Sequence, residues 1–199
     1  MFLSQNSGKW ALANVLPLFN NASLVFFSNF DAAANVPERA VQASQTALCT
    51  FTFTANAFGT LAFSSNNEQA TASFAATSVT PGANGTVTWA RARLNSIPWT
   101  VSAVYAASLQ WQVVSVSGNF YVLTRTGTAG STGPTATSTT PIADGGVEWM
   151  FFGTTATQND VLADFSVGTS ASDIIIGSTS ITTSVQVTMT SFVLQTASY

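Results

Sequence analysis

The chain has 199 residues, only 7% of them charged and 46% apolar, with a net charge of -3; that length can bury one substantial core, with or without a small insertion, and needs no disulfide or metal to do so. The basic residues Lys9, Arg39, Arg91, Arg93 and Arg125 are scattered and the pI is near 4.5, which leaves no electrostatic footprint for a phosphate backbone and excludes nucleic acid as a partner. Histidine is absent, so the commonest general base, the usual metal ligand and every Ser-His triad are excluded with it.

In chain order, the one helical pattern comes first. Ser7 precedes a run in which Leu12, Val15, Leu16 and Phe19 recur at helical spacing, and Pro17 limits its length or kinks it. The apolar run Trp10 to Phe19 is well short of the roughly 20 residues a membrane span requires. Met1-Phe2-Leu3-Ser4 lacks the basic start of a secretory signal, so the chain is expected to work as synthesised. From Ser23 onward, short β-branched and aromatic runs broken by Gly, Pro, Asn and Ser predict strands at 23–28, 47–54, 58–63 and 71–77. Cys49 shares parity with Phe51 and Phe53, the position of a buried, inert thiol.

Asn84-Gly85 predicts a tight hairpin turn leading into a strand at 86–93 with Val87 and Trp89 on one face. Further strands are predicted at 111–116, 119–125, 147–152 and 161–167. The final run, 184–194, alternates with Val185, Val187 and Met189 inward; a bulge near Ser191 would bring Phe192 and Leu194 to the same side. Residues 104–155 stand apart, because a Gly- and Thr-rich passage starting at Gly127 separates two aromatic strand pairs. They read as an inserted β-rich module, and 1–103 plus 156–199 as the domain it interrupts.

Carboxylates are the remaining route to catalysis. Asp144 and Glu148 lie four apart, and Asp160, Asp164 and Asp173 form the other group, but Asp144-Gly145-Gly146 reads as turn chemistry and Asp160 follows Asn159 in a loop. Asp160 and Asp164 lack the oxygen-rich loop that a calcium site needs. No catalytic residue, metal ligand or cofactor is expected. Trp111, Tyr121 and Trp149 are open to two readings, a sugar-stacking platform or the filling of the module's own core. The tracts Ser64–Asn67 and Ala136–Thr140 read as polar loops or as contact surfaces for a neighbouring subunit or glycan.

Two stretches resemble known families. The order Ala22–Ser28, Ala47–Gly59, Gly85–Arg91, Ser166–Ile176, Thr179–Ile181 and Val185–Leu194 resembles a widespread family of small bacteriophage and prophage virion proteins with an N-terminal helix and a β-sandwich. The turn after the opening strand departs from that family, which usually carries Asp-Gly where this chain has Ser28-Asn29-Phe30-Asp31. Tyr121-Val122-Leu123, Gly127–Pro134 and Asp144–Trp149 together are similar to a small module of phage fibres and surface proteins, often described as carbohydrate-binding-like.

The resemblance implies an all-β protein: a β-sandwich or jelly-roll-like domain with one short N-terminal helix, interrupted by the module. It also implies a non-enzymatic structural role in a virion, as a homo-oligomeric decoration or cement protein docking on major capsid proteins. The alternative is a tail or fibre component that binds host-surface glycans through Trp111, Tyr121 and Trp149. A polysaccharide-degrading tail enzyme is a third class, and it would need a carboxylate pair.

Overall fold

The computed structural model of the chain describes residues 5–31, 40–64, 67–107, 111–155 and 160–195. It is all-β apart from one short helix, and it divides into two compact units, residues 1–93 with 161–199 and residues 94–160. The inserted unit therefore begins earlier and ends later than composition suggests, because the strand Ser96–Pro98 pairs with Val113–Val116 and belongs to it.

The first unit opens with helix α1 (Gln5–Val15), which passes into a 3-10 turn at Leu16–Phe19 where Pro17 stops it. Leu16 and Phe19 are buried, whereas Val15, expected on the same face, is 46% exposed. Then follow β1 (Ser23–Phe27), β2 (Ala47–Phe58), β3 (Ala62–Ser64), β4 (Asn67–Phe74), β5 (Ser78–Val79), β6 (Gly85–Thr86) and β7 (Trp89–Arg93). Of the polar tract Ser64–Asn67, residues 65 and 66 lie outside the described residues, as does Arg39. The second unit supplies β8 (Ser96–Pro98), β9 (Val104–Tyr105), β10 (Val113–Val116), β11 (Asn119–Arg125), β12 (Gly127–Thr128), β13 (Ile142–Asp144) and β14 (Val147–Thr154). The chain re-enters the first unit for β15 (Val161–Gly168), β16 (Ile174–Ile176), β17 (Ser180–Ile181) and β18 (Val187–Gln195).

Where a sandwich would keep two sheets with free edges, here one sheet closes on itself. Its pairing runs β4-β2-β1-β7-β15-β16-β18 and returns to β4 through Thr71↔Val193 and Ala70↔Leu194, a ring of seven strands. Irregularities in register bend three of those strands: β2, at Leu48 opposite β1 and again between Phe53 and Phe58; β15, at Leu162 opposite β7; and β18, where Ser191 and Met189 pair with successive residues of β16. Bulges add curvature and twist, and that lets the sheet curl shut. The β18 bulge is the one expected from the sequence, and Val187, Met189, Phe192 and Leu194 all reach the core. Val185, expected inward, precedes the strand and is 62% exposed.

Phenylalanine fills the ring. Phe19 meets Phe53 and Phe58 edge-on at 5.7 and 5.4 Å, Phe53 stacks on Phe74 at 4.7 Å, and Phe192 meets Phe165 edge-on at 4.8 Å. Such pairs contribute about 0.5–1.5 kcal/mol each beyond the area they bury. Cys49 joins this core, and burial pushes its thiol up to about 12.

The 86–93 stretch differs from expectation in two ways. Gly85 does not turn a hairpin; it pairs with Ile181 of β17, and a Cβ there would lie 2.9 Å from Leu48. The strand also breaks at Val87-Thr88, so Val87 joins the ring's core with Ala90 and Ala92, while Trp89 and Arg91 point to the other face. On that face Trp89 stacks on Phe27 at 4.5 Å and its indole N–H donates to the Ser28 carbonyl. Arg91, fully buried, lies 5.3 Å from the Trp89 ring centre and makes a bidentate pair with Asp164, its cross-strand neighbour, at 2.6 and 2.7 Å.

In the second unit the sheet order is β13-β14-β11-β10-β8, with β9 and β12 as a separate pair. Val116 and Asn119 are joined by Ser117-Gly118, both at positive φ (47° and 81°), the backbone that suits a two-residue hairpin.

The chain leaves the barrel after Arg93 and re-enters it at Val161. Arg93 of β7 pairs directly with Val161 of β15, and the Leu94 N–H donates to the Asp160 carbonyl at 2.7 Å. Replacing residues 94–160 with a two-residue Asn-Gly turn is therefore expected to leave a folded barrel, with a far-ultraviolet spectrum of β type and one cooperative unfolding transition. A molten product would show that the barrel needs the insert.

Candidate functional site

The three aromatic residues singled out in the sequence occupy different environments. Trp149 and Tyr121 are fully buried in the core of the second unit, alongside Tyr105, Val114, Leu123, Ala129 and Val147. Tyr105 meets the Trp149 ring edge-on at 5.0 Å and Phe151 meets Tyr121 at 5.8 Å, so protein atoms occupy the ring faces a sugar would need. Trp111 alone is half-buried, at φ 69°, and its backbone N–H donates to Leu123. A bulky residue in the left-handed region is uncommon.

The residue that organises this unit is Asp144. Its Oδ2 accepts the indole N–H of Trp99 at 2.9 Å and that of Trp149 at 3.0 Å, and its Oδ1 accepts the Gly130 N–H at 2.8 Å. Asp144 is buried, so a carboxylate that would be costly alone is held by three donors. Asp144-Gly145-Gly146 is the expected turn, joining β13 to β14 by a two-residue loop with Gly145 at φ 62°. A Cβ on Gly145 would lie 2.7 Å from the Gly130 nitrogen and 2.8 Å from the Thr128 carbonyl, so the two glycine-bearing loops press backbone to backbone. Burial raises the Tyr105 phenol above its usual range; the Thr100 N–H that its oxygen accepts works the other way, and the Asp144 charge adds to the rise.

The other carboxylates singled out in the sequence make different contacts. Glu148 pairs with Arg125 at 2.7 Å across an exposed face. Asp160 sits at the exit of the second unit. In the first unit, Asp164 is held by Arg91, and Asp173 Oδ2 accepts both the backbone N–H of Ser166, at 2.9 Å, and its hydroxyl, at 2.8 Å. Asp164 and Asp173 both line an open groove of about 610 Å³ on the face of β15, β16 and β18 opposite the phenylalanine core. Sequence reasoning missed this groove, because it depends on which strands become neighbours.

The surface also carries large apolar side chains. Trp10 on α1 is 71% exposed and Phe30 is 52% exposed in the first unit; Val104 is 71% exposed in the second. Among the described residues no helix is long and apolar enough to cross a membrane.

Removing the Asp144 carboxylate takes the acceptor from the buried Trp149 indole, at about 1–3 kcal/mol, and from the part-buried Trp99 indole and Gly130 N–H. In the Asp144→Ala variant, hydrogen exchange is expected to speed up by orders of magnitude in β14 while the amides of β1 keep their protection. With the Cys49 thiol at about 12, its thiolate fraction at pH 8 is about one in ten thousand. Iodoacetamide is therefore expected to leave the native chain unlabelled from pH 7 to pH 9 and to label it in denaturant, as read by intact mass. No family model, no curated protein and no solved structure matches this chain.

Proposed function

We propose that this chain is a structural protein of a bacteriophage virion, a decoration or cement protein that docks on the capsid shell. The observation that carries the reading is a contrast between interior and surface. Each unit closes its own core, one with phenylalanine and one around Asp144, yet Trp10, Phe30 and Val104 stand exposed on a chain that is 7% charged. Large aromatic side chains surrounded by hydroxyls and amides are the material of adhesive contacts, since they bury area without stripping water from ions. Many copies on a lattice then multiply weak contacts into stable attachment. The seven-stranded ring supports the same role, because closure removes edges that would otherwise pair indiscriminately with other copies.

A second reading, a tail or fibre protein that contacts host-surface glycans, draws on Trp111. A half-exposed indole held at positive φ is the kind of strained aromatic position found at binding sites. Of the three aromatics first considered for stacking, it is the one whose ring is not sealed inside the unit.

Immunogold electron microscopy of intact particles, with an antibody raised against residues 104–155, separates the two. Gold spread over the head is the expected result. Gold confined to the tail or its tip would move the assignment to receptor binding, and particles without gold would end the virion reading.

A further inference from the structure

We propose that the groove on the outer face of β15, β16 and β18 is a binding site for a neutral saccharide. The proposal does not rest on the virion reading, because it concerns the isolated chain and a face of the barrel, not the inserted unit.

The groove arises from an irregularity in the ring. β15 and β16 run parallel, pairing Val167 with Ile174 and Gly168 with Ile175, and the segment 169–173 between them folds up as a wall with Ala171 at φ 49°. Elsewhere in the ring, neighbouring strands alternate in direction. At about 610 Å³ the groove is within the roughly 300–1,000 Å³ typical of small-ligand sites.

Its lining has two characters. Ile175 and Val193 present aliphatic surface, since Ile174, Ile176 and Phe192 on the alternate positions are the ones in the core. Around them stand Asp164, Ser166, Asp173 and Ser191. Asp164 is neutralised by the bidentate Arg91 pair. Asp173 is oriented by Ser166 through Oδ2 alone, and among the described residues none donates to its Oδ1. That oxygen is a fixed acceptor, and the Ser191 hydroxyl can both donate and accept.

A sugar ring answers this pattern on both counts. Its hydroxyls supply donors to Asp173 Oδ1 and exchange hydrogen bonds with Ser191, while a patch of ring C–H groups covers Ile175 and Val193. The one uncompensated carboxylate disfavours anionic sugars, so uronic and sialic acids are excluded. The one aromatic residue in the lining, Phe165, is buried in the barrel core and offers no exposed ring face for stacking, so single-site affinity is weak and binding shows when several chains are displayed together.

The test uses the full chain, biotinylated and assembled on streptavidin, applied to an array of neutral and acidic oligosaccharides and of Lys- and Arg-containing peptides. Signal on neutral saccharides is expected, with none on the acidic ones. It is expected to fall at least tenfold in Ile175→Trp and in Ser191→Trp, both of which fill the groove from partly exposed positions; near-ultraviolet circular dichroism identifies which of the two retains the native fold. Absence of signal on neutral saccharides, signal on the cationic peptides alone, or undiminished binding by a folded groove-filling variant would each overturn the assignment.

Discussion

A closed ring with an odd number of strands cannot alternate in direction all the way round. With seven strands, at least one neighbouring pair must run parallel, and the barrel meets that demand at β15 and β16 alone; every other neighbouring pair in the ring is antiparallel. Parallel neighbours ordinarily need a crossover of a dozen residues or more, because the chain must return along the whole strand. Here residues 169–173 suffice, since only the last residues of β15 pair with the first of β16 and the chain steps back a short way before advancing again. The step is clasped by Asp173, which accepts from the backbone and hydroxyl of Ser166 while its own N–H donates to that hydroxyl at 3.1 Å. One carboxylate thus secures the only place where the ring departs from alternation, and the same departure opens the groove above it.

Buried charge plays a comparable part at two other points, by different means. Arg91 and Asp164 are cross-strand partners on β7 and β15, both largely removed from water, so the pair fixes register more than it adds stability: the Coulomb gain is mostly offset by desolvation, but a slip of one residue would strand both charges. Asp144 has no cationic partner among its hydrogen bonds and relies on two indoles and a backbone N–H instead. In the barrel, polar specificity is set against a phenylalanine interior that would tolerate several packings. In the second unit, where the core is smaller, the carboxylate ties three separate stretches of chain to one point.

These arrangements explain which features could be read from the sequence. Local alternation marked most of the strands, the parity of Cys49 with Phe51 and Phe53 placed the thiol, and the parity break near Ser191 marked a bulge, because each depends on residues close together in the chain. Closure was not legible. It rests on Thr71 meeting Val193, a pairing that no local pattern records, and strands spaced at regular intervals suit a sandwich equally well. Asp144 was read as a turn former, correctly, but its role as an acceptor depends on Trp99 and Trp149 arriving from either side. Arg91 carried the clearest missed signal: an arginine between two alanines, two residues after Trp89 on the same strand parity, implies a buried partner, though not which carboxylate.

The point of insertion follows from the same ladder. β7 and β15 are neighbours with Arg93 opposite Val161, so to the barrel the entire second unit is the loop of a hairpin. Loop length enters stability only as about (3/2)RT ln n, and each doubling costs roughly 0.6 kcal/mol. An insert that folds by itself costs less still, because its two ends are held together by its own structure, here with the Leu94 N–H on the Asp160 carbonyl. The barrel ladder needs from the insert only that its ends meet at the spacing of neighbouring strands, and Ser96–Pro98, pairing inside the second unit within a few residues of the junction, begins an independent sheet almost at once. A barrel arranged this way sets no demand on the length of its insert beyond that spacing at the two ends.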